Sequence, residues 1–460
     1  MAAAISRGKK PLLAGCLRYG LAVVLCNLTA ILAARAGEAR PTTPAKGLIP
    51  SPEPGWPQWR GPRRDGLCDE TGLLQQWPPA GPELLWKSPG LGRGYCAPIL
   101  TGGRMYLTGD LGEDLHIFAL DLQGKRVWQA KNGRSWKGPY PGARASCTFS
   151  AGRLYLMNAH GRVACLDAAT GAELWAVDVL ERFGGKALTW GLSENLLVDG
   201  ERVIVTPGGA KALMAALDKL TGATVWTTEA LRLGKLDDPA QERLPEPAGE
   251  FDNASYSSPI LFALGGRRHI VGCSLRHFFG VDADTGQLLW TRPVPTRYQV
   301  IAATPVLAGD AVFCTAPETV GGGLYRIHTE GRAISIEKLW AAPLDTCHGG
   351  LVCKDGVLYG SGYRREKQWA ALDARTGAVR CQLKDLAMGS VLYADDRLYC
   401  LSQQGEMALL KPTPTAFEYA GRFRLVPEIT SDAWTHPVIL DGRLHLRYHE
   451  TLFCYDIRAR

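Results

Sequence analysis

Apolar residues run through most of this chain in short stretches, each broken by a tight turn. Pro98-Ile-Leu-Thr-Gly-Gly-Arg-Met-Tyr-Leu107 is one such unit and reads as strand, Gly-containing turn, strand. Related units begin near Thr148, Leu196, Pro259, Pro305, Leu351, Val391 and Pro437, which makes eight copies. In the clearest copies the hairpin leads into a third apolar run that ends near Ala-Leu-Asp. Thr-Gly follows, and then a fourth run carrying Trp. Asp167-Ala-Ala-Thr-Gly-Ala-Glu-Leu-Trp175, Asp218-Lys-Leu-Thr-Gly-Ala-Thr-Val-Trp226 and Asp282-Ala-Asp-Thr-Gly-Gln-Leu-Leu-Trp290 share this spacing. Asp373-Ala-Arg-Thr-Gly-Ala-Val-Arg-Cys381 repeats it with Cys at the end, and Asp121-Leu-Gln-Gly-Lys-Arg-Val-Trp128 is one residue shorter. The Asp starts a turn by accepting backbone N–H bonds, and the Gly takes the positive-φ position. The Trp is an apolar plate suited to the space between neighbouring sheets.

A repeat of roughly 40 to 65 residues signals an array, propeller or solenoid. Four strands per unit and eight units predict an all-β fold, an eight-bladed β-propeller with four-stranded antiparallel blades. The last unit ends at Phe453-Cys-Tyr-Asp456 and lacks a fourth strand. The isolated strand Glu83-Leu-Leu-Trp86, with Trp in the repeat position, is expected to supply it and close the ring, so that no edge is left open. The residues of Gly55–Gly66 are dense in turn formers and aromatics and read as an ordered arm on the body. Two irregularities stand out. Leu231–Phe251 reads as an inserted surface loop, and between Pro305 and Leu351 the turn motif degrades to Glu330-Gly-Arg-Ala-Ile-Ser-Ile-Glu-Lys-Leu-Trp340.

The first 36 residues differ from the rest. Arg7, Lys9, Lys10 and Arg18 precede an apolar run from Gly20 to Ala34, and Ala34-Arg-Ala36 is a small-residue cleavage pattern. Residues 1–36 therefore read as a secretory signal peptide, with a retained single-pass anchor as the other reading. Membrane contact is expected only through such an uncleaved segment. Leu13-Ala-Gly-Cys16 spells a lipobox but sits ahead of the apolar run. Residues 37–54, rich in Pro, Ala and Thr, read as a flexible linker, and 55–460 as the propeller. Of the formal charge of +7, five units lie in the leader, so the remainder gives no electrostatic case for nucleic acid. Eleven of the 13 cysteines lie beyond the leader. After export an odd number leaves at least one thiol unpaired within the chain. Cys68 with Cys96, or Cys347 with Cys353, could pair, and spacing alone does not decide. There is no C-x-x-C, which argues against zinc ribbons and thioredoxin-like chemistry.

The Ala-x-Asp-x-x-Thr-Gly-x-x-x-Trp repeat resembles the tryptophan-docking motif of quinoprotein alcohol dehydrogenases. It is found across the wider PQQ-binding-like propeller superfamily, which includes the propeller lipoprotein of the outer-membrane β-barrel assembly machinery. Trp56-Pro-Gln-Trp-Arg-Gly-Pro-x-x-Asp-Gly66, His348-Gly-Gly350 and Trp434-x-His-Pro437 are similar to secreted PQQ-like repeat proteins of planctomycete-type bacteria. The resemblance covers about residues 55–460 and implies the fold. A quinoprotein dehydrogenase would also need Ca²⁺ held by carboxylate and amide oxygens, an Asp base, a Trp under the quinone and usually a vicinal disulfide. No Cys-Cys pair occurs here, and no Asp/Glu/Asn cluster suited to a hard cation can be assembled from the sequence.

Propellers bind at the channel mouth, on the loops that lead into the innermost strands. Aligning the units puts Arg93, Tyr95 and Cys96; Arg144 and Ser146; Trp190; Tyr256 and Ser257; Cys347 and His348; and Trp434 and His436 at comparable positions. Of these Arg93, Tyr95, Arg144, Trp190, Tyr256, His348, Trp434 and His436 are the candidate ligand mouth, aromatic surface with a few polar anchors. The competing reading has them filling the rim and bonding to backbone. The histidines lie in different blades without helical spacing, so no metal triad is expected. Ser257 and Ser258 lack a nucleophile elbow, and Gly321-Gly-Gly323 is no phosphate loop. The leading expectation is an exported, non-catalytic propeller without a cofactor. It would bind an envelope protein or small ligand at its mouth, in cell-envelope or outer-membrane protein assembly. The alternative, a PQQ-dependent oxidoreductase with PQQ and Ca²⁺ or a carbohydrate-active propeller, requires acidic side chains clustered at the mouth.

Overall fold

The computed structural model describes residues 46–233, 249–294, 296–318, 321–331, 333–365 and 367–459. The expected leader at 1–36, the first part of the expected linker and most of the inserted loop lie outside them. Eight four-stranded antiparallel sheets follow one another along the chain. Blade 1 comprises Ile99–Thr101, Arg104–Leu111, Asp114–Asp121 and Arg126–Arg134. The innermost strands of blades 2 to 7 are Thr148–Ser150, Leu197–Asp199, Ile260–Leu264, Val306–Ala308, Leu351–Lys354 and Gly389–Ala394. Blade 8 is Val438–Leu440, Arg443–Tyr448 and Thr451–Asp456, completed by Glu83–Ser88. The closing strand runs antiparallel to Thr451–Asp456, with Glu83 opposite Asp456 and Trp86 opposite Cys454. It carries the same bulge before its Trp that interrupts the fourth strands of the other blades.

The repeat motif fastens each blade to the next. Asp218 Oδ1 accepts from the backbone N–H of Leu220 and Thr221 and from the Thr221 hydroxyl, all within 2.9–3.0 Å. This turn is repeated at Asp167, Asp282 and Asp373. It holds the following glycine flat against the indole of the preceding blade. Trp86, Trp128, Trp175, Trp226 and Trp340 lie so close over Gly124, Gly171, Gly222, Gly286 and Gly377 that a Cβ there would stand 2.5–2.7 Å from the ring. The indole N–H of Trp128, Trp175 and Trp340 donates to the carbonyls of Ala168, Lys219 and Ala374 in the neighbouring blade, at 3.0–3.2 Å. Between blades 7 and 8, Phe423 takes the same place over Gly81. Cys381 replaces the indole in blade 6 and is buried in the core that blades 6 and 7 share.

In blade 5 the degenerate turn is a long hairpin, Gly321–Glu330 paired with Ala333–Ala342. It lacks the docking glycine, and Trp290 of blade 4 packs instead with Tyr325 and Ile327 of that hairpin. One apolar cluster runs through blades 7, 8 and 1 and takes in Trp56, Leu73 and Trp77 from the segment ahead of the closing strand.

The described end of the stretch read as a flexible linker is bonded to the propeller. Gly47–Leu48 pairs with Ile260–Leu264, and the Ile49 N–H donates to the Leu261 carbonyl at 3.0 Å. The inner edge of blade 4 offers unpaired backbone groups, and an extended chain of any composition can meet them. Leu67–Cys68 adds to the inner edge of blade 7, in parallel.

The Trp–Gly contact predicts a contrast between two glycines of similar φ. At Gly152 (φ 75) an added methyl would have nothing within 4 Å, whereas at Gly222 (φ 70) it would meet Trp175. Gly152→Ala should lose about 1 kcal/mol, the left-handed backbone term alone, and Gly222→Ala about 3 kcal/mol. Denaturant unfolding midpoints of the two variants measure the difference.

Candidate functional site

The arm organises the channel. Arg60 and Arg64 adopt positive φ (63 and 59), which coils the segment between Gln58 and Gly66 into consecutive turns. Trp56 exchanges two backbone bonds with Leu100 of blade 1, and the Phe149 N–H of blade 2 donates to the Pro57 carbonyl. The buried Arg64 guanidinium donates to the carbonyls of Pro259 (2.9 Å), Leu196 (3.1 Å) and Asn195 (2.6 Å) and to the Gln58 side chain (3.2 Å). Arg60 donates to the carbonyls of Asp65 and Leu351. Converging inner strands leave carbonyls without donors, and a five-donor fork satisfies several at once. Burial lowers both guanidiniums to about 10, so they stay charged at neutral pH. Burial also pushes the Glu194 carboxyl up to about 7, against the bonds it accepts from Thr206.

Above the arm lies a cavity of about 430 Å³ whose lining includes Trp59 from the arm. Seven of the eight candidate mouth residues line it: Tyr95, Arg144, Trp190, Tyr256, His348, Trp434 and His436. Trp434 is the hub of one wall, with ring centroids 4.2 Å from His348, 4.9 Å from Tyr140 and 5.1 Å from Tyr95. Trp190 stands edge-on to Tyr256 at 5.9 Å, and Trp59 edge-on to His436 at 5.1 Å. Arg93 is not among the lining residues. Its backbone pairs with Asp110, and its side chain reaches Ser431 at 3.4 Å. Ser146 and Ser257 bond to the carbonyls of Ala97 and Ala303 in adjacent inner segments, and the Cys96 thiol faces Thr108 and Arg447.

Alignment of the inner strands missed Trp59, Tyr140, Tyr298, Glu318, Tyr363 and Arg364, which also line the cavity. Glu318 and Tyr363–Arg364 sit on loops between second and third strands, and Trp59 comes from outside the repeat. The density of aromatics in the arm was the one available signal for Trp59.

The charges at the mouth are internally engaged. The Arg144 guanidinium lies 5.3 Å over Trp136 and donates to the carbonyls of Pro139 (2.8 Å) and Tyr140 (3.0 Å). Burial lowers it to about 10 despite the pull of Tyr95, Asp110 and Tyr256. Arg364 stacks on Tyr298 and Tyr363 and lies 3.5 Å from Glu318, whose carboxyl is raised by burial and whose backbone is left-handed (φ 68). Burial holds His348 down at about 4; burial and the Arg60 charge hold His436 at about 3. Both imidazoles are therefore neutral at pH 7. His436 Nε2–H donates to the His348 carbonyl at 3.2 Å, which leaves Nδ1 as a lone-pair acceptor.

These residues do not fit a Ca²⁺–quinone pair. Among the described residues no three His, Cys, Asp or Glu side chains converge as cation ligands. The carboxylate on the cavity wall, Glu318, faces Arg364. The eleven described cysteines are all free thiols, and neither pairing considered from the sequence forms. Burial pushes the thiols of Cys347, Cys273 and Cys454 up to about 12, so the reactive thiolate is suppressed.

Comparison with known proteins adds lineage to this geometry. The family model described as outer membrane protein assembly factor BamB matches residues 113–383. The outer membrane protein assembly factor BamB of Kangiella koreensis is 26% identical over 227 residues, 48% of this chain and 48% of that protein, so the match spans about half the length of the relative. BamB from Moraxella catarrhalis superposes with a TM-score of 0.56 at 15% identity, over 82% of this chain and 98% of that one. Quinohemoprotein alcohol dehydrogenase from Comamonas testosteroni gives 0.61 at 14% identity, over 88% and 81%. At such identities the structural likeness is one of fold.

Two outcomes test the site's construction. Arg64→Met should destabilise the protein by about 3 kcal/mol in denaturant titration, because the buried carbonyls of Pro259 and Asn195 lose the guanidinium and that of Leu196 keeps only the Thr148 hydroxyl. The second concerns pH. Unfolded His binds a proton near 6.5, whereas folded His436 does so near 3. The unfolded state therefore holds more protons between these values, and the stability from neutral His436 is present above about 7 and lost as pH falls. Glu194 acts oppositely over its own window, since its folded value is raised. His436→Gln keeps a donor for the His348 carbonyl and removes the titration. Its melting temperature should fall less than that of the unaltered protein between pH 7 and 4.

Proposed function

The chain belongs to the propeller family described as outer membrane protein assembly factor BamB, and from that membership we propose an exported, non-catalytic role in outer-membrane protein assembly at the cell envelope. In this reading the mouth cup is the binding surface for an envelope protein or small ligand. The observation that carries it is the division of the channel. The arm is bonded across the inner strands, and the cavity above it is walled by aromatics whose neighbouring charges are already paired. Such a surface offers affinity and orientation, in the manner of a recognition site. Among the described residues no three His, Cys, Asp or Glu side chains gather as a cation site.

The likeness of fold to quinohemoprotein alcohol dehydrogenases defines the alternative, a PQQ-dependent oxidoreductase. A photo-crosslinking amino acid at Tyr140, 46% exposed on the mouth, should capture envelope proteins. The same group at Val379, 45% exposed on an outer strand, should not. Equal capture from both positions would remove the mouth from the proposal. Alcohol oxidation by protein reconstituted with PQQ and Ca²⁺ would replace the proposal with the dehydrogenase reading.

A further inference from the structure

The polar atoms of the cup that find no partner differ in kind from its charged groups. Trp434 Nε1–H and the Arg144 Nε–H are donors without an acceptor; His436 Nδ1 and Glu318 Oε2 are acceptors without a donor. The Tyr95 hydroxyl, able to act either way, is also unpaired. All five belong to residues lining the cavity, and Glu318, Tyr95 and His436 are at least nine-tenths buried. Buried polar groups in native proteins are normally satisfied, so five unpaired ones on residues of a single cavity mark a wall whose own hydrogen bonding is incomplete. The charges nearby do not call for an ion. Arg364 is paired with Glu318, Arg144 is capped by two carbonyls, and both imidazoles are neutral.

The remaining surface is aromatic, and it is disposed on opposite sides of the ring. Trp434 leads into the inner strand of blade 8, and Tyr256, with Trp190 beside it, leads into that of blade 4, halfway round. A ligand that matches needs apolar C–H faces for the rings and, around its edge, groups that both donate and accept. Hydroxyl groups on a saturated ring have that property. The arm beneath the cup, with Trp59 on its wall, favours a compact ligand over an extended chain threading the channel. We infer that the cup is a saccharide-binding site, taking a neutral mono- or disaccharide unit against Trp434 and Trp190. This rests on the reading of the mouth as the binding surface and narrows its ligand to one chemical class.

Titration of the whole mature chain with cellobiose, maltose and N,N′-diacetylchitobiose, followed by tryptophan fluorescence and calorimetry, tests the inference. Saturable one-to-one binding of at least one sugar is expected. Trp434→Ala and Trp190→Ala should each weaken it about tenfold or more, with unchanged far-ultraviolet dichroism. Should Trp434→Ala fail to fold, Trp190→Ala and Trp190→Phe carry the test, because Trp190 packs edge-on to one tyrosine at the rim. Binding that both mouth variants leave unchanged would overturn the site. No saturable response to any of the three sugars would overturn the saccharide assignment. If the Tyr140 crosslinker still captures protein in that case, the mouth remains a binding surface and its ligand is a polypeptide. If it captures nothing, the reading of the mouth falls as well.

Discussion

The indole of one blade lying flat on a turn glycine of the next is the contact on which the ring depends. Each blade buries its two faces against its neighbours, and a large plate over a residue without a side chain allows two sheets to approach while still filling the gap. The Asp-x-x-Thr-Gly turn exists to present that glycine, and the bond from the indole N–H to the carbonyl beside the turn sets the angle. The indole-over-glycine contact is repeated wherever motif and glycine are both intact, and the indole bond accompanies it at Trp128, Trp175 and Trp340. Where it fails, at blade 5 and between blades 6 and 7, aromatic and aliphatic packing fills the same space. The name the repeat inherits from quinone enzymes is thus no guide to chemistry. The residues it uses face the neighbouring blade, and those of the cup come from elsewhere.

A closed ring of sheets creates a second problem at its axis. Inner strands present toward the axis backbone groups that no further strand of their own blade pairs. The arm answers it with two buried arginines that gather carbonyls from several blades, and the segments on either side of it add two short strands. Arg447 plays a comparable part at the seam, donating to the carbonyls of Leu91, Gly92 and Thr108 from blade 8. The closing strand is therefore held by its ladder, by this guanidinium and by the apolar cluster that joins blades 7, 8 and 1. The arm bonds across the inner strands, and the cavity that includes its Trp59 lies beside it.

The cup's chemistry follows from burial. Burial raises the Glu318 carboxyl, which pairs with the exposed Arg364, and drives His348 and His436 neutral. This mouth is built on aromatic faces and neutral polar edges. Burial likewise suppresses the thiolates of Cys347, Cys273 and Cys454.

By itself the sequence determined the ring: eight units, four strands in each, and the strand at Glu83–Trp86 that completes the last. Those features are carried by local rules, alternation of apolar positions, Asp-Gly turns and a Trp at constant spacing, and such rules are written in consecutive residues. It also located seven of the residues that line the cup, because repeats related by rotation place equivalent loops on one mouth. The tertiary structure alone decided the rest. Arg93 does not line the cup, and its side chain reaches Ser431. Glu318, Tyr363 and Arg364 enter it from a second set of loops, and Trp59 comes from an arm with no repeat to align. Residues 47–49 fall in a stretch that looks like linker in composition, and they pair with an inner edge that forms only once the blades have assembled. Backbone edges and shared cavities belong to no single stretch of chain, so no local pattern can announce them.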